Sequence, residues 1–208
     1  MEIKPDPINQ LSEIKNMMEK SSRFLSLSGL SGVSAGIVAL IGAYVAFKTL
    51  GDDYTYEIAT TQVQTGAIFG SKLFLLALGT LIAAIALIIV FTYRKSRMLH
   101  LPIWTQTTNR LVVNLAIPLA AGGLFLLKIL DLGYLGLIAP GCLIFYGLSL
   151  VNASKYTIGD IRLLGMIEIG IGLLNLLFIG QGLLCWTLGF GVAHIVYGIY
   201  MWNKYDKN

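Results

Sequence analysis

Glu168 and His194 stand out in this chain as side chains able to exchange a proton in surroundings that are otherwise apolar. Glu168 is the only acidic residue inside the long apolar stretches; it follows Arg162 by six residues, about 9 Å along a helix at 1.5 Å per residue. Gly165, Glu168, Gly172 and Asn175 share one helical face, a small and polar stripe that should turn away from lipid. Thr187, Gly191, His194 and Gly198 form a matching stripe beyond the short Gly180-Gln181-Gly182 turn. That turn makes the two helices antiparallel neighbours and brings Glu168 and His194 within about one helical turn of the same depth. Ionisable groups at membrane depth are costly and mark functional sites. Histidine titrates near neutrality and burial disfavours a charged carboxylate, so the pair reads as proton-responsive. The same residues also fit a structural role, as a hydrogen-bonded pair locking the hairpin or with Glu168 held by Arg23 or Arg110.

Asn114 completes the candidate polar site of Glu168, His194, Asn175 and Asn114. It lies one turn after Arg110 and one turn before Pro118. Pro118 and Pro140 are candidate helix kinks, because proline removes a backbone donor and clashes with the preceding turn. Paired kinks can open a solute cavity, as broken helices do in transporters.

No catalytic or metal-binding signature accompanies these residues. His100 and His194 belong to no His-Glu-x-x-His pattern, and Cys142 and Cys185 sit singly in apolar runs. No glycine-rich phosphate loop and no Gly-x-Ser-x-Gly elbow occurs. The sequence therefore points to no enzyme, metal or cofactor. A channel would want polar faces on several helices, and one Glu168 per chain makes a ring only in an oligomer.

The elements that would position these groups follow from composition. Of 208 residues, 56% are hydrophobic and 12% charged, about half the charged fraction of a soluble domain. That excludes a soluble, disordered or nucleic-acid-binding protein. Six stretches approach the ~20 apolar residues needed to cross a bilayer: Leu25 to Phe47, Lys72 to Phe91, Leu111 to Leu127, Tyr134 to Val151, Leu163 to Ile179 and Leu183 to Trp202. The expected fold is an all-α integral membrane bundle, with residues 25–202 as its transmembrane domain.

Orientation follows from the basic residues. With the N-terminus inside, the cytoplasmic side receives Lys4, Lys15, Lys20, Arg23, Arg94, Lys95, Arg97, Arg110, Lys155, Arg162, Lys204 and Lys207. The outer side receives only Lys48, Lys72 and Lys128. Both termini are then expected in the cytoplasm, with the basic residues as topology determinants and contacts to anionic lipid.

Residues 1–24 read as a cytoplasmic segment and not as a cleavable signal peptide. Asp6 and Pro7 fit a helix start, and Ile8, Leu11, Ile14 and Met18 recur at helical spacing, the pattern of an amphipathic helix on the inner surface. The stretch from Lys48 to Ser71 reads as a solvated outer loop, Tyr93 to Arg110 as an inner connection at headgroup level, and 203–208 as a tail. In the first helix Ser28, Gly32 and Gly36, with the adjacent row Ala35, Ala39 and Ala43, form small-residue ridges suited to close packing within the chain or between two copies.

A possible internal repeat links the later helices. Tyr146-Gly147 before Asn152, Lys155 and Tyr156 resembles Tyr197-Gly198 before Asn203, Lys204 and Tyr205, and each follows an arginine, Arg110 or Arg162, by 36 or 35 residues. With Arg23 before the first helix, the chain would be three tandem helical hairpins. The stretch Met17-Met18-Glu19-Lys20-Ser21-Ser22-Arg23-Phe24-Leu25-Ser26-Leu27-Ser28-Gly29-Leu30-Ser31-Gly32 resembles the opening of a family of small, uncharacterised multi-pass membrane proteins from Bacteroidota-type bacteria. The resemblance implies a bacterial inner membrane and supplies no site.

Two functions fit the sequence. One is a small transporter-like or solute- or proton-responsive protein centred on the polar residues. The other is a non-catalytic scaffold or regulatory subunit acting through its N-terminal helix and basic inner loops. Expected partners are the lipid bilayer, a small solute or proton, and a protein partner or second copy, with no nucleic acid.

Overall fold

Apolar stretches punctuated by glycine turns fold into helices because no water is available to satisfy an open backbone inside a bilayer. The computed structural model describes residues 28–50, 72–100 and 102–207, and those residues are helical with no strand among them. The expected amphipathic N-terminal helix and most of the outer loop lie outside the described residues. Among the described residues there are six helices: α1 (Gly29–Leu50), α2 (Lys72–Met98), α3 (Gln106–Asp131), α4 (Ile138–Ala153), α5 (Ile161–Leu177) and α6 (Gly182–Asp206). A 3-10 turn, Leu135–Leu137, leads into α4. α1, α2, α3, α6 and, taken with its 3-10 turn as Leu135–Ala153, α4 are long and apolar enough to cross a membrane.

Several helices outrun their apolar stretches. α2 continues to Met98 and α3 starts at Gln106, so the inner connection is much shorter than the Tyr93 to Arg110 segment read from hydropathy. Polar and basic residues end an apolar window without ending a helix. The α3 start is fixed by Thr105, whose hydroxyl accepts from the Thr108 backbone N–H in a reciprocal capping box. The supposed tail from 203 is likewise helical: α6 runs to Asp206, with π-helical turns at Thr187–Ala193 and Trp202–Asp206.

Glycines set the helix pairing. A Cβ on Gly36 would lie 2.7 Å from the Gly191 carbonyl oxygen, and one on Gly198 would lie 2.5 Å from the Val33 nitrogen. Thus α1 and α6 touch backbone to backbone, and the small-residue ridge of α1 serves packing within the chain. α4 and α5 meet in the same way at Gly147 and Gly165 and again at Ile144 and Gly172. α3 lies on α4 through Gly122 against Phe145 and Gly141 against Leu126, and α2 lies on α1 through Gly42 and Thr80. Within each pair the residue numbers run in opposite directions, so successive helices alternate in direction. α6 occupies the middle, between α1 on one side and α4 and α5 on the other, while α2 and α3 flank the bundle and leave apolar side chains such as Ile89 and Leu124 exposed.

One end of the bundle is closed by two acidic residues. Asp206 pairs with Lys95 of α2 through one oxygen. Its other oxygen accepts from the Gly29 N–H at 2.9 Å and the Ser28 hydroxyl at 3.1 Å. A carboxylate is thus placed on the free donors at the start of α1, where the helix dipole favours negative charge. Asp160, before α5, accepts from Lys204 at 2.7 Å and from the Tyr205 hydroxyl at 3.0 Å. The Lys204 ammonium holds the Asp160 carboxyl below the usual carboxylate range, against the smaller opposing effect of burial.

These contacts give two expectations. Gly198→Ala should destabilise the bundle by about 1–3 kcal/mol through overpacking, whereas Gly170→Ala, which meets nothing within 4 Å, should stay within about 1 kcal/mol of the parent; unfolding in mild detergent compares them. Asp206→Ala should cost about 1–3 kcal/mol, since a cap and a partly buried charge partner are lost together. Asp160→Asn should cost less, because its pair is exposed. The Asp160 contribution, arising from a lowered folded pKa, is present at neutral pH and disappears as pH falls through and below the usual carboxylate range. Denaturation at graded acid pH should therefore show the Asp160→Asn penalty vanish at the acid end.

Candidate functional site

Glu168 lies in the middle of α5, on the face that also carries the buried Leu164, Gly165, Gly172 and Asn175. That face is closed off by the glycine contact with α4, which lets two backbones approach too closely for lipid to intrude. Glu168 is 0% exposed. His194 of α6 sits opposite it, with Nδ1 3.2 Å from Oε1. The depth matching read from the Gly180–Gly182 turn therefore does bring the two side chains into contact; Gly180 supports the turn with φ 109°, a conformation glycine adopts without strain.

Tyr146 of α4 completes the cluster. Its hydroxyl lies 2.8 Å from His194 Nε2. The other ring nitrogen, Nδ1, is also 3.1 Å from the Gly189 carbonyl oxygen, five residues earlier on α6. Because Nδ1 faces two oxygens, the arrangement favours a proton on Nδ1; when the ring is neutral, Nε2 then accepts from the Tyr146 hydroxyl. Neither Glu168 oxygen makes a well-aligned hydrogen bond. The carboxylate is approached from one side by Nδ1 and lies against Gly189, where a Cβ would come 2.5 Å from Oε2. Glycine at 189 is what allows the carboxyl group to fit.

The local shape of α6 serves this arrangement. Gly189 and its neighbours lie in the π-helical segment Thr187–Ala193, which ends at His194. Such segments widen one turn and often occur at functional sites. On the far side of the imidazole, Phe190 stacks at 6.0 Å, Trp186 follows Phe190 at 5.2 Å, and Tyr146 meets Phe190 at 5.2 Å. The polar triad is thereby shielded by an aromatic wall.

The two asparagines expected to join this site do other work. Asn175, 0% exposed, stands two turns along α5 and donates to the Phe178 carbonyl oxygen at 3.2 Å, closing the end of its own helix. Asn114 is on α3 and engages Asn152 of α4. Pro118 explains that contact: its missing N–H would have bonded to the carbonyl four residues back, which is that of Asn114. Asn152 Nδ2 donates to this freed oxygen at 2.8 Å, and α3 runs through Pro118 without interruption. Pro140 occupies the first turn of α4, where a missing N–H costs nothing in helix bonding, and is therefore no interior kink. Arg110 is exposed, with its carbonyl accepting from Asn114, and does not hold Glu168.

Tyr146, Gly189 and Asn152 were not identified as site or partner residues by sequence reasoning. Tyr146 and Asn152 carried a signal only as members of the possible repeat. Asn152 could have been sought as the donor that a mid-helix proline requires. Among the described residues, no group of three His, Cys, Asp or Glu side chains is placed to hold a metal ion. The chain matches no protein-family model, no curated protein and no solved structure.

The Pro118 reading makes a paired expectation. Asn152→Ala should cost about 1–3 kcal/mol by leaving the Asn114 carbonyl without a donor. Pro118→Ala in the same chain should restore a backbone donor and recover part of that loss. A double-mutant cycle in detergent should return a coupling of about 0.5–3 kcal/mol; additive effects would disprove the link.

Proposed function

We propose that this is a small, proton-responsive and transporter-like protein of a bacterial inner membrane, with Glu168, His194 and Tyr146 as its proton-binding element. The observation that carries the reading is the enclosed carboxyl group with an imidazole nitrogen at 3.2 Å and a tyrosine hydroxyl on the opposite ring nitrogen. Cores that serve packing alone are cheaper to build from apolar side chains, since burying an ionisable pair costs several kcal/mol. Alongside Cys142, one turn from Tyr146 on α4, the titratable neighbours of the pair are Tyr146 and, through it, Tyr197.

Six spans with both termini cytoplasmic form part of this proposal. α5, at 17 residues, is short, but its contacts with α4 run from Pro140 and Gly172 at one end to Val151 and Gly165 at the other. It therefore runs alongside α4, which with its 3-10 turn forms the 19-residue span Leu135–Ala153. The alternating directions gather Arg94, Lys95, Arg97, Arg110, Lys155, Arg162, Lys204 and Lys207 at one end of the bundle and Lys48, Lys72 and Lys128 at the other, the asymmetry that keeps the richer end inside. The resemblance of Met17 to Gly32 to small multi-pass inner-membrane proteins supports the same compartment.

A proton change here has a route to the backbone. With Glu168 ionised, Nδ1 donates to the Gly189 carbonyl while the carboxylate lies alongside at 3.2 Å. If Glu168 is protonated and the imidazole carries its proton on Nε2, Nδ1 becomes an acceptor and its bond to Gly189 is lost. That carbonyl belongs to the π-helical segment that faces Gly36 of α1 through Gly191. Protonation is thereby coupled to the α1 and α6 contact.

Thermal unfolding in mild detergent between about pH 5 and 8, the range of histidine titration, tests the reading against Glu168→Gln. The parent midpoint should vary with pH and the variant's should flatten. A variant that is less stable by the same amount at every pH would reduce Glu168 to a packing residue. A solute that stabilises the parent and not the variant, by about 2.7 kcal/mol at 100 times its dissociation constant, would identify what is carried with the proton.

A further inference from the structure

Between the buried triad and one end of the bundle lie tyrosines that the proposed function leaves unexplained. On α6, His194, Tyr197, Tyr200 and Lys204 recur at spacings of three and four, so they lie along one face and lead toward the end that carries Asp160 and Lys204. Tyr197 and Tyr146 pack against the same buried cluster of Leu150, Ile161 and Leu164. Ile161 follows Asp160 directly. Tyr197 lies within electrostatic reach of Asp160, Tyr205, Tyr200 and Lys204, and Tyr146 within reach of both Tyr197 and Glu168.

The Tyr197 hydroxyl is buried without a hydrogen-bond partner. A tyrosine hydroxyl removed from solvent ordinarily finds one, and an ordered water is the usual means where protein atoms do not serve. Its place in the line is between a surface acid and a buried relay. Toward the opposite end, the triad is followed on α6 by Phe190 and Trp186 in aromatic contact, on α4 by Leu143 against Gly189 and by Cys142, and on α5 by Asn175. The aromatic and aliphatic side chains cannot pass a proton, and neither Cys142 nor Asn175, which bonds to the Phe178 carbonyl, is hydrogen-bonded to the triad.

We infer that protons reach Glu168 from the Asp160 and Lys204 end alone, by way of Tyr197, a bridging water and Tyr146, so that the triad is the blind end of a one-sided proton path. This rests on the proton-responsive reading of Glu168 and specifies where its proton comes from. The transfer balances as a relay. A proton arriving at the Tyr146 oxygen displaces the hydroxyl proton onto His194 Nε2, and Nδ1 releases its proton to Glu168 Oε1. One proton has entered and Glu168 is neutral; Tyr146 and His194 are each neutral again, with the imidazole now protonated on Nε2 and donating to the Tyr146 oxygen. Asp160 marks the mouth, where Lys204 and Tyr205 hold it in place.

The experiment is a pH jump on the full chain in lipid nanodiscs, followed by time-resolved infrared spectroscopy of the protonated carboxyl band that Glu168→Gln removes. Tyr197→Phe should slow the rise of that band at least tenfold while leaving its final amplitude near that of the parent. Recovery of amplitude at long times shows that the variant is folded and that the lost function is the relay. In proteoliposomes of fixed orientation, acidifying the Lys204 side should raise the band and acidifying the other side should not. An unchanged rate in Tyr197→Phe, or an equal response from both sides, would overturn the one-sided path while leaving the responsive pair intact. Absence of any Glu168 band across the titration would remove the underlying reading and this inference with it.

Discussion

A carboxyl group can be kept in the middle of an apolar bundle only if the surrounding backbones come close enough to exclude lipid and to offer it polar atoms. Much of this architecture answers to that requirement. Gly147 on Gly165 brings α4 against α5, and Gly191 and Gly198 bring α6 against α1. These approaches put Tyr146 and His194 within bonding distance of each other and His194 against Glu168. Glycine recurs at the site itself, since Gly189 gives the carboxyl group the room that any side chain would take. The dispersion and hydrogen-bond contacts made in this way replace the hydrophobic drive that is absent between helices in lipid.

Polar satisfaction elsewhere follows the same logic at smaller scale. Asn152 supplies the donor that Pro118 removed, Asn175 closes the end of α5, and Asp206 covers the open start of α1. Each is a polar side chain drawn to a backbone group that a regular helix could not satisfy. Among the described residues, the buried side-chain oxygens that stay without aligned partners are those of Glu168 and Tyr197, with Thr92 Oγ1 and Asn175 Oδ1; the first two belong to ionisable groups, on which the proposed proton chemistry rests.

Much of this was legible in the sequence where a local rule applied. Glu168 and His194 could be matched because a two-helix turn fixes depth by residue counting alone. The stripe of Gly165, Glu168, Gly172 and Asn175 is buried as its spacing implies. Tyr146 was not legible as a partner, because its place depends on the register of α4 against α5, and no local pattern specifies which glycine of one helix meets which of the other. Asn114 shared the polar type of the site residues, yet its partner was dictated by a proline one turn away. Asp206 fell beyond the apolar window and so looked like part of a tail. Pro140 looked like a break because the apolar stretch opens at Tyr134, four residues before α4 begins.

The pairing of α1 with α6 also bears on how the chain is assembled. Of the described helices, α1 and α6 stand farthest apart in the chain and yet pack together, and the cap on the opening turn of α1 comes from Asp206. Contacts of such sequence separation form late, after the cost of closing a long loop has been met. Until then the glycine ridge of α1 faces lipid or a provisional neighbour. The meeting of Glu168 and His194 needs no such closure, since the short turn at Gly180 already makes α5 and α6 neighbours; what α1 adds on docking is the cover over the other side of α6.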